Sequence, residues 1–139
     1  MAKKAVKLEL SEVMICKDIQ QNRNGTFSLL GVYPKDVAVA TPAPFSFMCS
    51  LWLNFLSYLP SETELEIKIS GEGVLEEDVV VPVTIAAHES AQENMATPII
   101  LRNILLRVLK AGSVQISYKK PKAKWKDART VEINIVQPS

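Results

Sequence analysis

Apolar and polar residues alternate along most of this chain with a period of two residues. Residues 64–70 show the pattern most clearly, because three leucine or isoleucine residues alternate with four charged or polar ones. Successive side chains of a strand point to opposite faces, so this pattern is typical of a strand with one buried face. A similar alternation starts at Val6 and either continues to Ile19 or breaks at Ser11-Glu12.

Two strand-like runs flank an Asn-Gly pair near the start of the chain. The first run is Val13 to Ile19, the second is Thr26 to Tyr33, and Asn24-Gly25 lies between them. Asn and Gly tolerate the positive φ angles of a tight turn, so this arrangement predicts a β-hairpin. Gly31 interrupts the second run, which is typical of a bulge or of a close backbone approach.

Two apolar segments fit more than one kind of structure. Phe47 to Leu56 is typical of a long buried strand, with the odd-numbered residues from Cys49 on one face and Trp52 on the other. A short amphipathic helix over residues 51–59 is the alternative. Pro98 to Leu109 alternates loosely, as a strand would, and its leucines also fit a helical face. Aromatic and turn residues favour a strand in the first segment, and the surrounding β pattern favours a strand in the second.

Turn signals separate the remaining strands. Val79 to Ile85 contains Pro82, which cannot donate a backbone hydrogen bond, so this strand is expected at a sheet edge or at a bulge. Residues 86–94 have poor strand character and predict a loop. Val114 to Tyr118 and Val131 to Ile135 alternate again and predict a closing hairpin.

Eight or nine short strands at regular spacing predict an all-β fold: an antiparallel β-sandwich of the immunoglobulin-like or C2-like kind. A chain of 139 residues has the size of one ordinary domain and can bury a core without disulfides or metals. No repeat, low-complexity tract or linker is visible. The sequence therefore predicts a single domain over residues 1–139.

Composition narrows the class of protein. Hydrophobic residues make up 47% and charged residues 22%, which is typical of a globular rather than a disordered chain. Cys16 and Cys49 are too few for a disulfide framework and are expected to be two small buried side chains. The longest apolar run, Phe45 to Leu59, is too short to cross a bilayer, and no secretory leader follows Met1. We expect a cytoplasmic protein without membrane association.

The first hairpin also contains a distinctive motif, in which Cys-x-Asp is followed by Gly-x-x-Ser-Leu-Leu-Gly-Val-Tyr. Its residues are Cys16, Asp18, Gly25, Ser28, Leu29, Leu30, Gly31, Val32 and Tyr33. In this motif the chain resembles an uncharacterised family of small bacterial β-sandwich proteins. The likeness continues through a proline-rich loop, a buried central strand and a strand from Gly112 to Tyr118. The resemblance implies the β-sandwich fold and a bacterial or phage protein, and it implies no activity.

No residue pattern matches a catalytic or cofactor site. His88, the only histidine, is expected on the surface of a loop. Cys16 and Asp18 share a strand face, but an aspartate does not lower a thiol pKa, and Asp18 is expected to bond to the backbone of the following turn. The acids of residues 72–78 lack EF-hand spacing, and Gly71-x-Gly73 lacks the third glycine of a phosphate loop. We therefore predict a non-enzymatic protein with no cofactor, no metal and no small-molecule substrate.

Charge is distributed unevenly, although its sum is only +1. Residues 62–93 contain nine acids and one base, whereas residues 102–129 contain nine bases and one acid. Six of these bases and a tryptophan lie between residues 119 and 129, at the tip of the predicted last hairpin. The candidate binding residues are Lys119, Lys120, Lys122, Lys124, Trp125, Lys126 and Arg129.

Three interpretations of this basic hairpin are open. Lysines protect a hairpin tip from aggregation; a basic surface can dock on an acidic protein or on a second copy of the chain; and lysines around a tryptophan can bind single-stranded nucleic acid. We predict a protein-interaction or assembly module with a protein partner or a homo-oligomer. The alternative is a nucleic-acid-binding module that uses the same hairpin, and a hydrolase that uses Cys16 or His88 is a third hypothesis.

Overall fold

The part of the chain that the structure describes contains nine strands. This structure is a computed structural model, and it describes residues 7–58, 62–86 and 95–136. The strands are β1 (Lys7–Gln21), β2 (Phe27–Tyr33), β3 (Val37–Val39), β4 (Phe45–Tyr58), β5 (Thr63–Ser70), β6 (Val79–Ile85), β7 (Met95–Val108), β8 (Gly112–Lys119) and β9 (Lys126–Ile135). Within these ranges there is no helix, so none is long and apolar enough to cross a membrane. The all-β prediction is confirmed.

The strands form two sheets that pack face to face around a shared core. The four-stranded sheet has the order β2-β1-β4-β7, and the five-stranded sheet has the order β3-β9-β8-β5-β6. Neighbouring strands are antiparallel except for β3 and β9, which pair in parallel from Val37–Ile133 to Val39–Ile135. The prediction of an antiparallel β-sandwich is therefore confirmed, with one short parallel pair at the edge.

Alternate side chains of β4 form the centre of this core. Leu51, Leu53 and Phe55 are at most 1% exposed, and Cys49 is buried in line with them. The ring of Phe55 contacts Tyr118 of the opposite sheet edge-on, with 5.3 Å between ring centroids. Burying large apolar side chains from both sheets is the main favourable term for such a fold. The strand prediction for this segment is confirmed, and the helix alternative is wrong for the described residues.

A bulge explains why the sequence of β7 fitted both a strand and a helix. The pairing of β4 with β7 shifts register opposite Ser50, where β7 contributes Arg102 and Asn103, and Asn103 has a φ of 58°. Such an extra residue reverses which positions point inward. Ile99 and Leu101 face the core before the bulge, and Ile104, Leu106 and Val108 face it afterwards. The segment is a strand, as the β context favoured.

The predicted first hairpin is present, and β1 is one continuous strand. Its pairing with β4 shifts register between Leu10 and Glu12, which accounts for the broken pattern at Ser11. Gly31 sits in β2 with a φ of 65°, and the register with β1 is the same on both sides of it. A side chain there would meet the Lys17 methylene groups at 2.8 Å. Gly31 therefore marks a close approach rather than a bulge.

The distal half of this hairpin lies over the outer face of the four-stranded sheet. Phe27 packs edge-on against Trp52, with 5.6 Å between ring centroids, and Asp18 pairs with Arg102 of β7 at 3.3 Å. Strand β1 thus contacts β7 although β4 lies between them in the sheet. Ile19 is only 1% exposed in this second layer of packing.

The connection between β5 and β6 joins the two sheets. The Glu76 N–H donates to the Arg107 carbonyl at 2.9 Å, and the Leu109 N–H donates to the Val74 carbonyl at 2.7 Å. This segment also covers the end of the β7 edge. Strand β6, which contains Pro82, lies at an edge of its sheet as predicted. The predicted loop at 86–94 lies outside the described residues from Ala87 onward.

Gly112, the first residue of β8, packs so closely against this connection that it has no room for a side chain. Its φ is 156°, and a Cβ atom would lie 2.5 Å from Cγ2 of the buried Val74. We predict that Gly112→Ala lowers the free energy of unfolding by about 3 kcal/mol, measured by urea denaturation, because strain and overpacking add. Gly25→Ala is the control: its φ is 81° with no atom within 4 Å of a Cβ, so only about 1 kcal/mol is expected. If Gly112→Ala lowered the free energy of unfolding by the same amount in a Val74→Ala background as in wild type, a clash with Val74 would not be the cause.

Candidate functional site

The candidate binding residues lie on and around the tip that connects β8 to β9. The tip closes with a hydrogen bond from the Ala123 N–H to the Lys120 carbonyl at 3.1 Å, and Lys122 adopts a φ of 63°. Lys122, Lys124 and Lys126 are exposed, and Lys120 is half-buried. The structure therefore brings four of the predicted lysines together at one end of the five-stranded sheet.

Trp125 packs against its own sheet instead of projecting from the tip. The ammonium nitrogen of Lys68 lies over its ring at 4.4 Å from the centroid, and that of Lys119 lies at 5.1 Å. Both distances are within the range of cation–π attraction. The half-buried ring thus already has two cationic partners within the chain, and its role in holding the tip on β5 is structural.

Lys119 is likewise engaged within the sheet. It lies opposite Glu66 in the register of β5 with β8, and its Nζ is 3.5 Å from a Glu66 carboxylate oxygen. Some of the acids that are distant in sequence from the basic hairpin are thus its neighbours in space. The separation of charge in the sequence is only partly retained in the fold.

Arg129 connects the two sheets and does not lie at the tip. Its guanidinium donates to the backbone carbonyls of Val13 at 3.1 Å, Tyr33 at 3.4 Å and Lys35 at 2.9 Å. Three carbonyls from β1, β2 and the following loop are therefore held by one side chain of β9. Nothing in the local sequence distinguishes this arginine from its basic neighbours, because its acceptors are 94 to 116 residues away in the chain.

We predict that Arg129→Lys destabilises the protein without weakening partner binding. A lysine ammonium cannot hold three separate carbonyls in the fork geometry of a guanidinium, and hydrogen bonds to charged groups contribute about 1.5–3 kcal/mol each when buried. For this half-buried site we expect a loss of about 2 kcal/mol in urea denaturation. Lys126→Gln, at an exposed position of the same strand, should change stability by less than about 0.5 kcal/mol. Equal effects of the two substitutions would contradict the structural role of Arg129.

An acidic region lies at the opposite end of the five-stranded sheet. Since β5 and β8 are antiparallel, the tip after Lys119 lies near the start of β5, and the connection after Ser70 lies near the start of β8. That connection carries four exposed acidic residues, Glu72, Glu76, Glu77 and Asp78. The lysines of the tip cannot reach these acids within one molecule.

Cys16 and Asp18 do not form a nucleophilic pair. The Cys16 thiol is fully buried and donates to the Ser50 carbonyl with a sulfur–oxygen distance of 3.7 Å. Burial, and next the negative charge of Asp18, raise the pKa of this thiol, so it stays protonated. Asp18 accepts from the Ile19 N–H at 2.8 Å and from Arg102 at 3.3 Å, so the predicted bond to the turn at Asn22–Gly25 is wrong.

The other chemical candidates contribute no site within the described residues. In those ranges no group of three or more histidine, cysteine, aspartate or glutamate side chains could hold a metal ion. His88 lies outside the described residues, so its predicted surface position has no structural counterpart. Both cysteines are free and buried, as the sequence predicted.

Cys49 makes stability depend on pH at the alkaline end. Burial, with a smaller contribution from Cys16, raises the pKa of its thiol from 9.0 to about 12. Between these values the unfolded chain releases the proton and the native protein keeps it, so native stability falls as pH rises from 9.0 toward 12. We predict that wild type loses on the order of 3 kcal/mol more than Cys49→Val across this window in urea denaturation.

The valine variant is a suitable comparison, because it removes the buried thiol and leaves every other side chain of the protein unchanged. An apolar cavity of about 20 Å³ borders Cys49 and can accept part of the larger side chain. If the free energy of unfolding fell with pH in parallel for the two proteins, the buried Cys49 thiol would not cause the alkaline loss of stability.

Comparison with known proteins adds no family to this description. No family model matches the sequence, and no curated protein matches it. The resemblance to a family of small bacterial β-sandwich proteins therefore stays a prediction.

Proposed function

We propose that this chain is a non-enzymatic protein-interaction or assembly module that binds an acidic protein surface through the β8–β9 tip. The observation that carries the proposal is the placement of Lys120, Lys122, Lys124 and Lys126 together at one end of the sheet, with three of them exposed. The chain's own acidic connection lies at the other end. These positive charges are therefore available to a second molecule.

The contacts of the remaining candidates divide the hairpin into two parts. Lys119 pairs with Glu66, Trp125 packs beneath Lys68 and Lys119, and Arg129 holds carbonyls of the other sheet. These three side chains support the tip and orient it, while the four lysines form the proposed contact surface. Such support restricts the motion of the tip before binding and therefore lowers the entropy cost of binding.

We predict that Lys122→Gln, Lys124→Gln and Lys126→Gln together abolish capture of an acidic partner. The change removes three exposed charges and leaves Trp125 and its contacts in place. Pull-downs from nuclease-treated lysate at about 50 mM salt, followed by identification of the captured proteins, measure the effect, because exposed charge pairs are strongest at low ionic strength. The matched control is Lys17→Gln, Arg23→Gln and Lys35→Gln, which removes three exposed charges elsewhere.

The expected result is a set of acidic proteins that wild type and the control variant retain and the tip variant loses. Identical captured proteins for all three would refute the role of the tip. Circular dichroism and urea denaturation establish that each variant is folded to the same extent.

Nucleic-acid binding by the same tip is the second candidate, because four clustered lysines also fit a phosphate backbone. The position of Trp125 argues against base stacking, since its ring already contacts Lys68 and Lys119. Binding of labelled single-stranded DNA that weakens with salt and is lost in the tip variant would favour this candidate.

The proposal places the protein in the cytoplasm of a bacterium or phage-infected cell, where its two free cysteines would stay reduced.

A further inference from the structure

Two large apolar side chains lie side by side on the outer face of the four-stranded sheet, where the first hairpin does not cover it. Met48 of β4 pairs directly with Leu105 of β7, and the two residues are 54% and 57% exposed. Cross-strand apolar pairs are usually buried on a packed face, and here the pair is open to solvent. Exposed apolar surface with a polar rim is typical of an interaction site.

The rim of this surface is acidic. A hollow of about 110 Å³ is lined by Glu76, Glu77, Asp78, Val79, Leu105 and Arg107. The single cation, Arg107, donates to the Ser46 hydroxyl at 3.4 Å. Three carboxylates against one guanidinium leave the rim negatively charged, so the surface fits a partner that is both basic and partly apolar. We call it the Met48–Leu105 surface, defined by Met48, Leu105, Glu76, Glu77 and Asp78.

The β8–β9 tip of this same chain has the complementary chemistry. Exposed Lys122, Lys124 and Lys126 surround exposed Pro121 and Ala123. Lysine side chains can lay their methylene stems on apolar surface while their ammonium groups reach nearby carboxylates. The tip can therefore cover Met48 and Leu105 and pair with the acidic rim at once.

The tip and the acidic rim lie at opposite ends of the five-stranded sheet, and Met48 and Leu105 lie on the outer face of the other sheet. The tip and the Met48–Leu105 surface can therefore meet only between molecules. We propose that the tip of one copy docks on the Met48–Leu105 surface of a second copy. The contact uses different surfaces on the two molecules, so it propagates head to tail into a chain or a ring. This inference rests on the proposed function and names its partner as a second copy of the chain.

Sedimentation velocity and light scattering of the full chain test the contact. Exposed charge pairs and a small apolar area give weak binding. We therefore expect the average mass of the particles in solution to rise as the protein concentration increases from roughly 10 µM to 1 mM. The rise should be strong at about 50 mM salt and nearly absent at about 500 mM, because salt screens exposed charges. A monomer at every concentration in low salt would overturn the inference.

Charge reversal identifies the two surfaces. The tip variant carries Lys122→Glu, Lys124→Glu and Lys126→Glu, and the rim variant carries Glu76→Lys, Glu77→Lys and Asp78→Lys. Each variant alone should be monomeric, and an equimolar mixture should associate, since the basic tip of the rim variant fits the unaltered rim of the tip variant. The matched control, Lys17→Glu, Arg23→Glu and Lys35→Glu, should still self-associate. Association of the tip variant alone, or no association of the mixture, would overturn the inference.

Leu105→Gln tests the apolar part of the contact without changing charge. The side chain is exposed, so the variant should fold normally and weaken self-association by roughly tenfold. If Leu105→Gln left self-association unchanged, Leu105 would not take part in the contact, and docking on the Met48–Leu105 surface would be overturned.

The outcomes separate this inference from the proposed function. A monomeric wild type whose tip still captures a different acidic protein refutes the head-to-tail contact and leaves the proposed function standing. A monomeric wild type whose tip variant captures the same proteins as wild type refutes both.

Discussion

The packing of two sheets against each other through β4 is the constraint on which the rest of the structure depends. Leu51, Leu53 and Phe55 lie at the centre of the core. Strand β4 pairs with β7 from Phe45 to Ser57 and with β1 from Ser50 to Tyr58. A slip of one residue would turn these side chains to the outer face. The register of β4 with its two neighbours therefore decides which apolar side chains reach the core.

The register shifts between β4 and its two neighbours are consequences of that constraint. Both neighbours of β4 are long strands, and a twisted pair of such strands accumulates a mismatch between pattern and register. The shift between Leu10 and Glu12 in β1 and the shift at Arg102 and Asn103 in β7 let each strand return apolar side chains to the core. The second shift also directs Arg102 toward Asp18, which helps to hold the first hairpin over the sheet.

The basic hairpin combines a structural and an exposed part. Its base is fixed by Arg129 across the two sheets and by Trp125 on β5, and its tip presents lysines at one end of the molecule. Charge in the sequence is segregated over whole segments, but the fold pairs Glu66 with Lys119. The exposed lysines of the tip and the exposed acids after β5 lie at opposite ends of the five-stranded sheet. This arrangement supports the proposed contact between molecules.

The sequence by itself determined the strands, the first hairpin, the edge position of Pro82 and the burial of β4, because each depends on alternation and turn chemistry within a few residues. It also located the lysines of the tip. Only the tertiary structure decided that Arg129 holds carbonyls of the other sheet and that Trp125 packs against Lys68. It also decided that Asp18 pairs with Arg102 and that Met48 and Leu105 are exposed. These outcomes depend on residues that are distant in the chain, and a local pattern does not specify which distant group a side chain will meet.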